Sequence, residues 1–413
     1  MIRIARNISR NLSRNLSRTV GTEPDLVLDS YSGASAAYSL YDLGNKRGTV
    51  VETEATYYNP AVRLRRDSDN THKSFPAGAF TQMLNWATED VFGLDVQVAT
   101  NHTCDTFSGA STTGFSATIS TPPGQCGWGL GTTIPSGGSV TLTGTLTLTS
   151  GSPSFSLRET VSGGILMSNL ETLTSGGAFE ITLTSTNSSA GSIVVSDGDV
   201  SDFSISGLAI TQNAYATTWY DQSGSDNDAI QSTAASQPKV VDAGSLVTDA
   251  NGNYALDFDG TDDTMASDTF TLAAQPKTIF VIGDFDASVS PQYWVDGSAT
   301  NRGSIGEAAS TGRWRIFAGT VSDYATLEIA SNTTYLATAV FNGASSELFV
   351  DGTSKGVKNV GTGGLEKITI GSHADQAQAF LDGGVVTIIA YPSSASRAAI
   401  EQILSNTIQT ALS

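Results

Sequence analysis

Two cysteines, three histidines and a charged fraction of only 15% in 413 residues leave little room for several kinds of chemistry. Cys104 and Cys126 stand 22 positions apart in one stretch of chain, which permits a single disulfide but no disulfide framework, and the redox compartment stays open. His72, His102 and His373 are scattered and form no metal-ligand spacing; neither a Gly-x-Ser-x-Gly element nor a phosphate-cradling glycine loop occurs. Nucleophilic and phosphoryl-transfer chemistry therefore have no support. There is also no apolar run of about 18 residues, so no membrane span is expected. The first residues lack the apolar core of a secretory signal, and synthesis and assembly in a cytoplasm are expected.

What the chain does have is glycine, serine and threonine. Forty-two glycines and 39% apolar residues suit short strands joined by tight turns around a real core, and the expected class is all-β. The net charge of −19 is unevenly placed. The first 20 residues hold five arginines and no acid, which leaves 16 cations against 40 acids, or −24, on the rest. An acidic body of this kind repels nucleic acid and anionic membranes, so neither is expected as a partner.

The basic leader repeats a four-residue unit, Arg-Asn-(Ile/Leu)-Ser, from Arg6 to Ser17. As a helix, its apolar series Ile4, Ile8, Leu12, Leu16 and Val20 would drift by about 40° per step, because four residues overshoot one turn. Asn and Ser are mediocre helix formers, so an arm ordered by a partner fits as well as a free amphipathic helix; a disordered tail and a transit peptide are the alternatives. Read as a docking arm, residues 1–24 would use Arg6, Ile8, Arg10, Leu12, Arg14, Leu16 and Arg18.

From residue 25 the chain reads as globular. Ala61 to Arg66 alternates apolar and cationic residues as a strand does, and Asp67-Ser68-Asp69-Asn70 follows as a turn. Between about 100 and 210 the composition shifts to Thr, Ser and Gly, with strands expected at Ser139 to Thr149, Ala178 to Ser185 and Ser192 to Val195. Aromatic sequence resumes at Trp219, which suggests that residues 100–210 are a second sandwich inserted into a larger one formed by 25–99 and 211–413. Six further strands are expected between Thr278 and Ala390, with a hairpin turn at Asp351-Gly352. A final helix is expected where Ile400, Ile403, Leu404 and Ile408 recur at spacings of three and four, packing on a sandwich edge or rim.

Several of these segments resemble one family. Tyr31-Ser32-Gly33-Ala34 with Ala36 to Leu40, Ala61 to Arg66 with Ser68-Asp69-Asn70, Thr218-Trp219-Tyr220-Asp221-Gln222-Ser223-Gly224 and Gln237-Pro238-Lys239 stand in the order seen in concanavalin A-like, laminin-G-like jelly-roll domains of phage structural proteins. The same run is similar to the start of the fungal α-L-arabinofuranosidase B catalytic domain. Leu256 to Asp263 and Leu348 to Gly352 fit the laminin-G-like pattern. The resemblance covers about residues 25–98 and 212–413, and Trp-Tyr-Asp-Gln-Ser-Gly is its most specific piece. The inserted block is similar, more loosely, to jelly-roll carbohydrate-binding modules through Phe155 to Arg158, Thr172 to Thr184 and Asp202 to Ile205.

The resemblance implies a bacteriophage virion component, a head fibre, decoration protein or tail-fibre part, docked through residues 1–24 onto capsid or tail proteins. Assembled in the host cytoplasm and displayed on the virion surface, it would form a homo-oligomer and face host polysaccharide. The alternatives are a glycoside hydrolase acting on arabinose-containing or bacterial surface glycans, and a secreted adhesin. Hydrolysis with retention requires two carboxyl groups about 5 Å apart, one of them protonated, and no pair in the sequence aligns with the resembled enzyme's acids. Asp221 lies in the most specific motif, but a turn-forming role before Ser223-Gly224 is the simpler reading. For glycan binding, an exposed ring is needed, and Trp86, Trp128, Trp294 and Trp314 are the candidates, while Trp219 and Tyr220 read as core. Two oxygen-rich groups, Asp197 and Asp199 with Asp202, and Asp257, Asp259, Asp262 and Asp263, are candidates for a structural calcium ion.

Overall fold

The computed structural model describes residues 26–408 except 45–48, 53–54, 89–95, 99–102, 112, 121–123, 135, 160–164, 188–189, 198–199, 272, 287–290, 309–311, 325–328 and 395. The docking arm, Asp199 and the side chain of Asp197 lie outside the described residues.

The chain is an all-β protein of two nested sandwiches, every named strand pairing being antiparallel. In the larger, one sheet runs from Ala36–Ser39 through Asp382–Tyr391, Lys277–Gly283, Tyr335–Phe341 and Ser346–Val350 to Thr353–Lys358. The second runs from His72–Pro76 through Pro60–Arg66, Ala214–Trp219, Ala229–Ile230, Met265–Ser267, Thr369–Ile370, Gln292–Asp296, Ser304–Glu307 and Trp314–Phe317 to Val321–Asp323. Lys239–Asp242 and Leu256–Asp259 bridge the two along one side.

Burial follows the period of two. Ile279 and Val281 face the core between the sheets with Tyr38, Leu64, Trp219, Trp294 and Trp314, whereas Phe280 and Ile282 face a second core behind the first sheet. That second core is closed by Val27 and Leu28 and by Ile400 and Leu404 of the helix Arg397–Thr407. A strand buried on both faces reads as an unbroken apolar run, and Ile279 to Ile282 is one. The helix thus covers a sheet face rather than a rim, because that face is apolar and needs a lid. The expected hairpin is present: Asp351 and Gly352 both hold positive φ, 49° and 78°, between the paired residues Val350 and Thr353.

Residues 96–211 build the smaller sandwich from two five-stranded sheets. One orders Gly177–Thr184, Ser139–Ser150, Ser201–Thr211, Gly114–Ile119 and Thr106–Ser111; the other orders Glu171–Thr172, Ser154–Arg158, Ala190–Asp197, Gly124–Ile134 and Val96–Val98. Val140, Leu142 and Leu146 turn inward onto Trp128, Phe155 and Phe203. Cys104 and Cys126 are disulfide-bonded, with their Cα atoms 6.0 Å apart.

The two bodies meet at the turn after Pro60–Arg66. Ser139 N donates to Ser68 O at 3.2 Å, Asn70 Nδ2 to Gly137 O at 2.9 Å, and Asn213 Nδ2 to Thr141 Oγ1 at 3.4 Å. Just past the return into the larger body, Asp221 fastens its first strand. Its fully buried carboxylate accepts from Ala37 N, Ser223 N, Ser223 Oγ and Asn227 N, all within 3.1 Å. Gln222 continues the seam, accepting from Leu43 N and donating to Ser39 O and Tyr41 O. The Trp-Tyr-Asp-Gln-Ser-Gly motif is therefore a structural staple, with Trp219 and Tyr220 buried beside it.

Candidate functional site

One row of side chains crosses the bridge between the two large sheets. His72 pairs with Arg65, Arg65 with Tyr215, Tyr215 with Lys239, Lys239 with Asp257, and Asp257 with Gly384, whose carbonyl accepts from Asp284 N. Residues in register share a face. From Arg65 to Asp284 the row spans about 24 Å at the usual interstrand spacing, cationic and aromatic at one end and acidic at the other.

The inserted sandwich stands over the cationic end. Between them lies a cavity of about 360 Å³, lined by Arg65, Asp67, Asn70, Tyr215, Ala234 and Ala235 from the larger body and by Gly137, Ser139, Thr182 and Thr184 from the smaller. Its size suits a small ligand. The Arg65 guanidinium lies 4.8 Å from the centre of the Tyr215 ring. Arg65 donates through Nε to Gln237 Oε1 (2.7 Å) and through Nη1 to Asp67 Oδ1 (2.9 Å) and Asn70 Oδ1 (3.1 Å). On the facing wall, Ser139 and Thr184 share a hydroxyl hydrogen bond of 2.9 Å, as do Thr141 and Thr182. Lys239 Nζ donates to Asp242 Oδ1 at 2.6 Å, and this bond with the Asp242 charge outweighs burial, which works the other way, to hold the Lys239 ammonium above its ordinary range. Burial first, then Asp242, raises Glu180 of the smaller body.

At the acidic end, burial and then the Asp286 charge push Asp257 up to about 7, opposed by Lys239. Asp284 rises to about 6 through burial, although its carboxylate accepts from Gly384 N and Ala250 N. Asp286 and Asp382 are raised, by burial first. Gly384 leaves the row open here: a Cβ on it would stand 2.7 Å from Asp284 Oδ1.

Of the eleven residues proposed for ligands, the structure gathers three. One oxygen from each of Asp259, Asp262 and Asp263 lies within 4.8 Å of the others. Asp263 is buried, 4% exposed, and burial followed by the Asp259 charge pushes it to about 8. A carboxylate so placed lacks a countercharge, and an all-oxygen set is what a hard cation such as Ca²⁺ takes. Asp257 lies beyond this trio, on the row. Asp202 lies on the strand Ser201–Thr211, and no grouping with Asp197 and Asp199 is described.

Three of the four candidate tryptophans are buried and supply no platform, while Trp86 is partly exposed. Trp128 is 1% exposed in the smaller core and donates to Ser111 O. Trp294 and Trp314 are fully buried 5.3 Å apart, Trp294 stacked on Phe285 at 4.4 Å. Strand alternation turns these rings inward. Trp86 lies on a helix absent from the sequence reading, Phe80–Ala87, with Phe75 at 5.5 Å and the Arg66 guanidinium 4.9 Å above its ring. The ring exposed to the groove is instead Tyr215, which sequence reasoning missed because its setting is made by a strand more than 30 residues away on the other body.

The fold sets the class: an all-β protein of one sandwich interrupted by another. No protein-family model matches the chain, and no curated protein sequence matches it. Among solved structures it is similar to a mutant GH54 α-L-arabinofuranosidase soaked with 4-nitrophenyl α-L-arabinofuranoside, at a TM-score of 0.37 and 11% identity over 53% of this chain and 57% of that one. A Trypanosoma rangeli sialidase in complex with sialic acid scores 0.33 at 11% identity, covering 82% and 65%. A truncated AlyQ with CBM32 and alginate lyase domains scores 0.20 at 9% identity, covering 73% and 98%. The chain thus spans less than two thirds of the first two, and likenesses this slight carry no argument about binding or activity.

Proposed function

We propose that this chain is a glycan-binding sandwich protein of a bacteriophage virion, attached by residues 1–24 to capsid or tail proteins and holding host polysaccharide in the groove between its two bodies. The observation that carries the binding reading is the groove itself: a tyrosine ring beside serine, threonine and asparagine side chains, in a cavity of ligand size. A sugar presents an apolar face for stacking and hydroxyls that require partners, and this lining offers both. The attachment reading rests on the basic repeat and on the resemblance of the sandwich segments to phage structural proteins. Deleting residues 1–20 is expected to abolish incorporation into particles and to leave a folded body; unchanged incorporation refutes the arm. Host polysaccharide retained by immobilised wild-type protein and lost with Tyr215→Ala is the expected result for the groove.

Asp257 and its neighbours favour a second reading, a glycoside hydrolase. A carboxyl with a pKa near 7 among other acids is what acid-base catalysis on a glycosidic bond employs. Release of reducing ends from a polysaccharide panel, abolished by Asp257→Asn, would establish it.

Asp259, Asp262 and Asp263 are further proposed to hold a structural calcium ion. Added Ca²⁺ should raise the melting temperature and EGTA lower it, and Asp263→Asn should remove both responses.

A further inference from the structure

The ligand's charge can be read from what the groove has already used. Arg65 lines the groove and Lys239 stands beside it as the register partner of Tyr215, and each is engaged internally: Arg65 with Asp67, Asn70 and Gln237, Lys239 with Asp242. A uronate, sialate or sulfate entering here would have to displace Asp67 or Asp242 and would meet a body of net negative charge. What remains open is hydroxyl. Thr182, Thr184, Ser139 and Tyr215 each keep unused donor or acceptor capacity after their internal bonds, since a hydroxyl offers one donor and two acceptor positions.

We infer that the groove selects neutral glycans and rejects acidic ones, Arg65 and Lys239 serving to brace the walls and orient Tyr215 rather than to contact the ligand. The inference rests on the groove being a glycan site, as proposed above. It also predicts that binding is insensitive to ionic strength, because no ligand charge is paired.

The test is a panel of neutral, uronic, sialylated and sulfated glycans probed with the full chain at 50 and 500 mM NaCl, repeated with Tyr215→Ala and with the shape-preserving double variant Thr182→Val/Thr184→Val. The expected result is binding of neutral members only, unchanged by salt, weakened about tenfold by either variant, the scale of one lost stacking or paired hydroxyl contact. Far-ultraviolet circular dichroism and melting of both variants establish that they fold; Thr182→Val/Thr184→Val carries the test should Tyr215→Ala fail to. Binding confined to acidic members, or falling steeply with salt yet lost in the variants, overturns the inference and leaves the glycan site standing. Absence of binding by every class overturns the glycan reading itself.

Discussion

The two sandwiches solve the same problem by different means. The smaller is contiguous, and hairpins, strict inward alternation of Val140, Leu142 and Leu146, hydroxyl pairs between neighbouring strands and one disulfide suffice to set it. The larger is assembled from segments on either side of the insertion, and its register depends on polar side chains that reach across long sequence gaps. Asp221 binds Ala37 N from 184 positions away, and Gln222 secures Ser39 to Leu43. A discontinuous sandwich needs directional fasteners, since burial alone fixes neither partner nor register.

That contrast can be broken by Asp221→Ala, which strands several buried amides at once. We expect a loss of about 4 kcal/mol confined to the larger body; denaturant unfolding followed by Trp219-region fluorescence and by hydrogen exchange in residues 96–211 would show it, and equal loss in both bodies would erase the distinction. The converse is Cys104→Ser with Cys126→Ser. Opening this loop should cost about 3 kcal/mol in the smaller body only, measured as a shift in one of two thermal transitions.

A third test uses pH. Asp257, Asp284 and Asp263 titrate in the folded body at about 7, 6 and 8, above their ordinary range, so the native state binds more protons than the unfolded one from about pH 4 upward. Their contribution is complete at low pH and is lost as pH rises through those values. The larger body should therefore melt a few degrees lower at pH 7 than at pH 5, the smaller one, where Glu180 is raised, by less, and Asp263→Asn should flatten the slope. Lys277, pushed down to about 7 by burial, acts in the opposite sense only above that pH, so the comparison belongs below it. The smallest effect is expected from Asn70→Ala, which removes one bond to Arg65 and one to Gly137: about 1 kcal/mol, seen as wider separation of the two transitions.

Much of the fold was legible because strand alternation is local. Val62 and Leu64 against Arg63 and Arg65, and Asp351-Gly352 between two apolar runs, need no knowledge of partners. The helix Phe80–Ala87 carried a readable signal in Phe80, Met83, Leu84 and Ala87, short enough to pass for loop. The site was hidden for a different reason. Tyr215, Arg65 and Thr184 belong to three strands on two bodies, and only the packing of the insertion brings them together; abundant tryptophans pointed to rings that alternation had already buried.

The Asp221 staple also orders events in time. As the chain leaves the ribosome, residues 36–66 emerge well before Ala214–Trp219 and the Asp221 loop that hold them, and before Asp382–Tyr391, which pairs with Ala36–Ser39. The inserted sandwich meets all its own partners by Thr211. It can close before Ala36–Ser39, which waits for Asp382–Tyr391 to emerge.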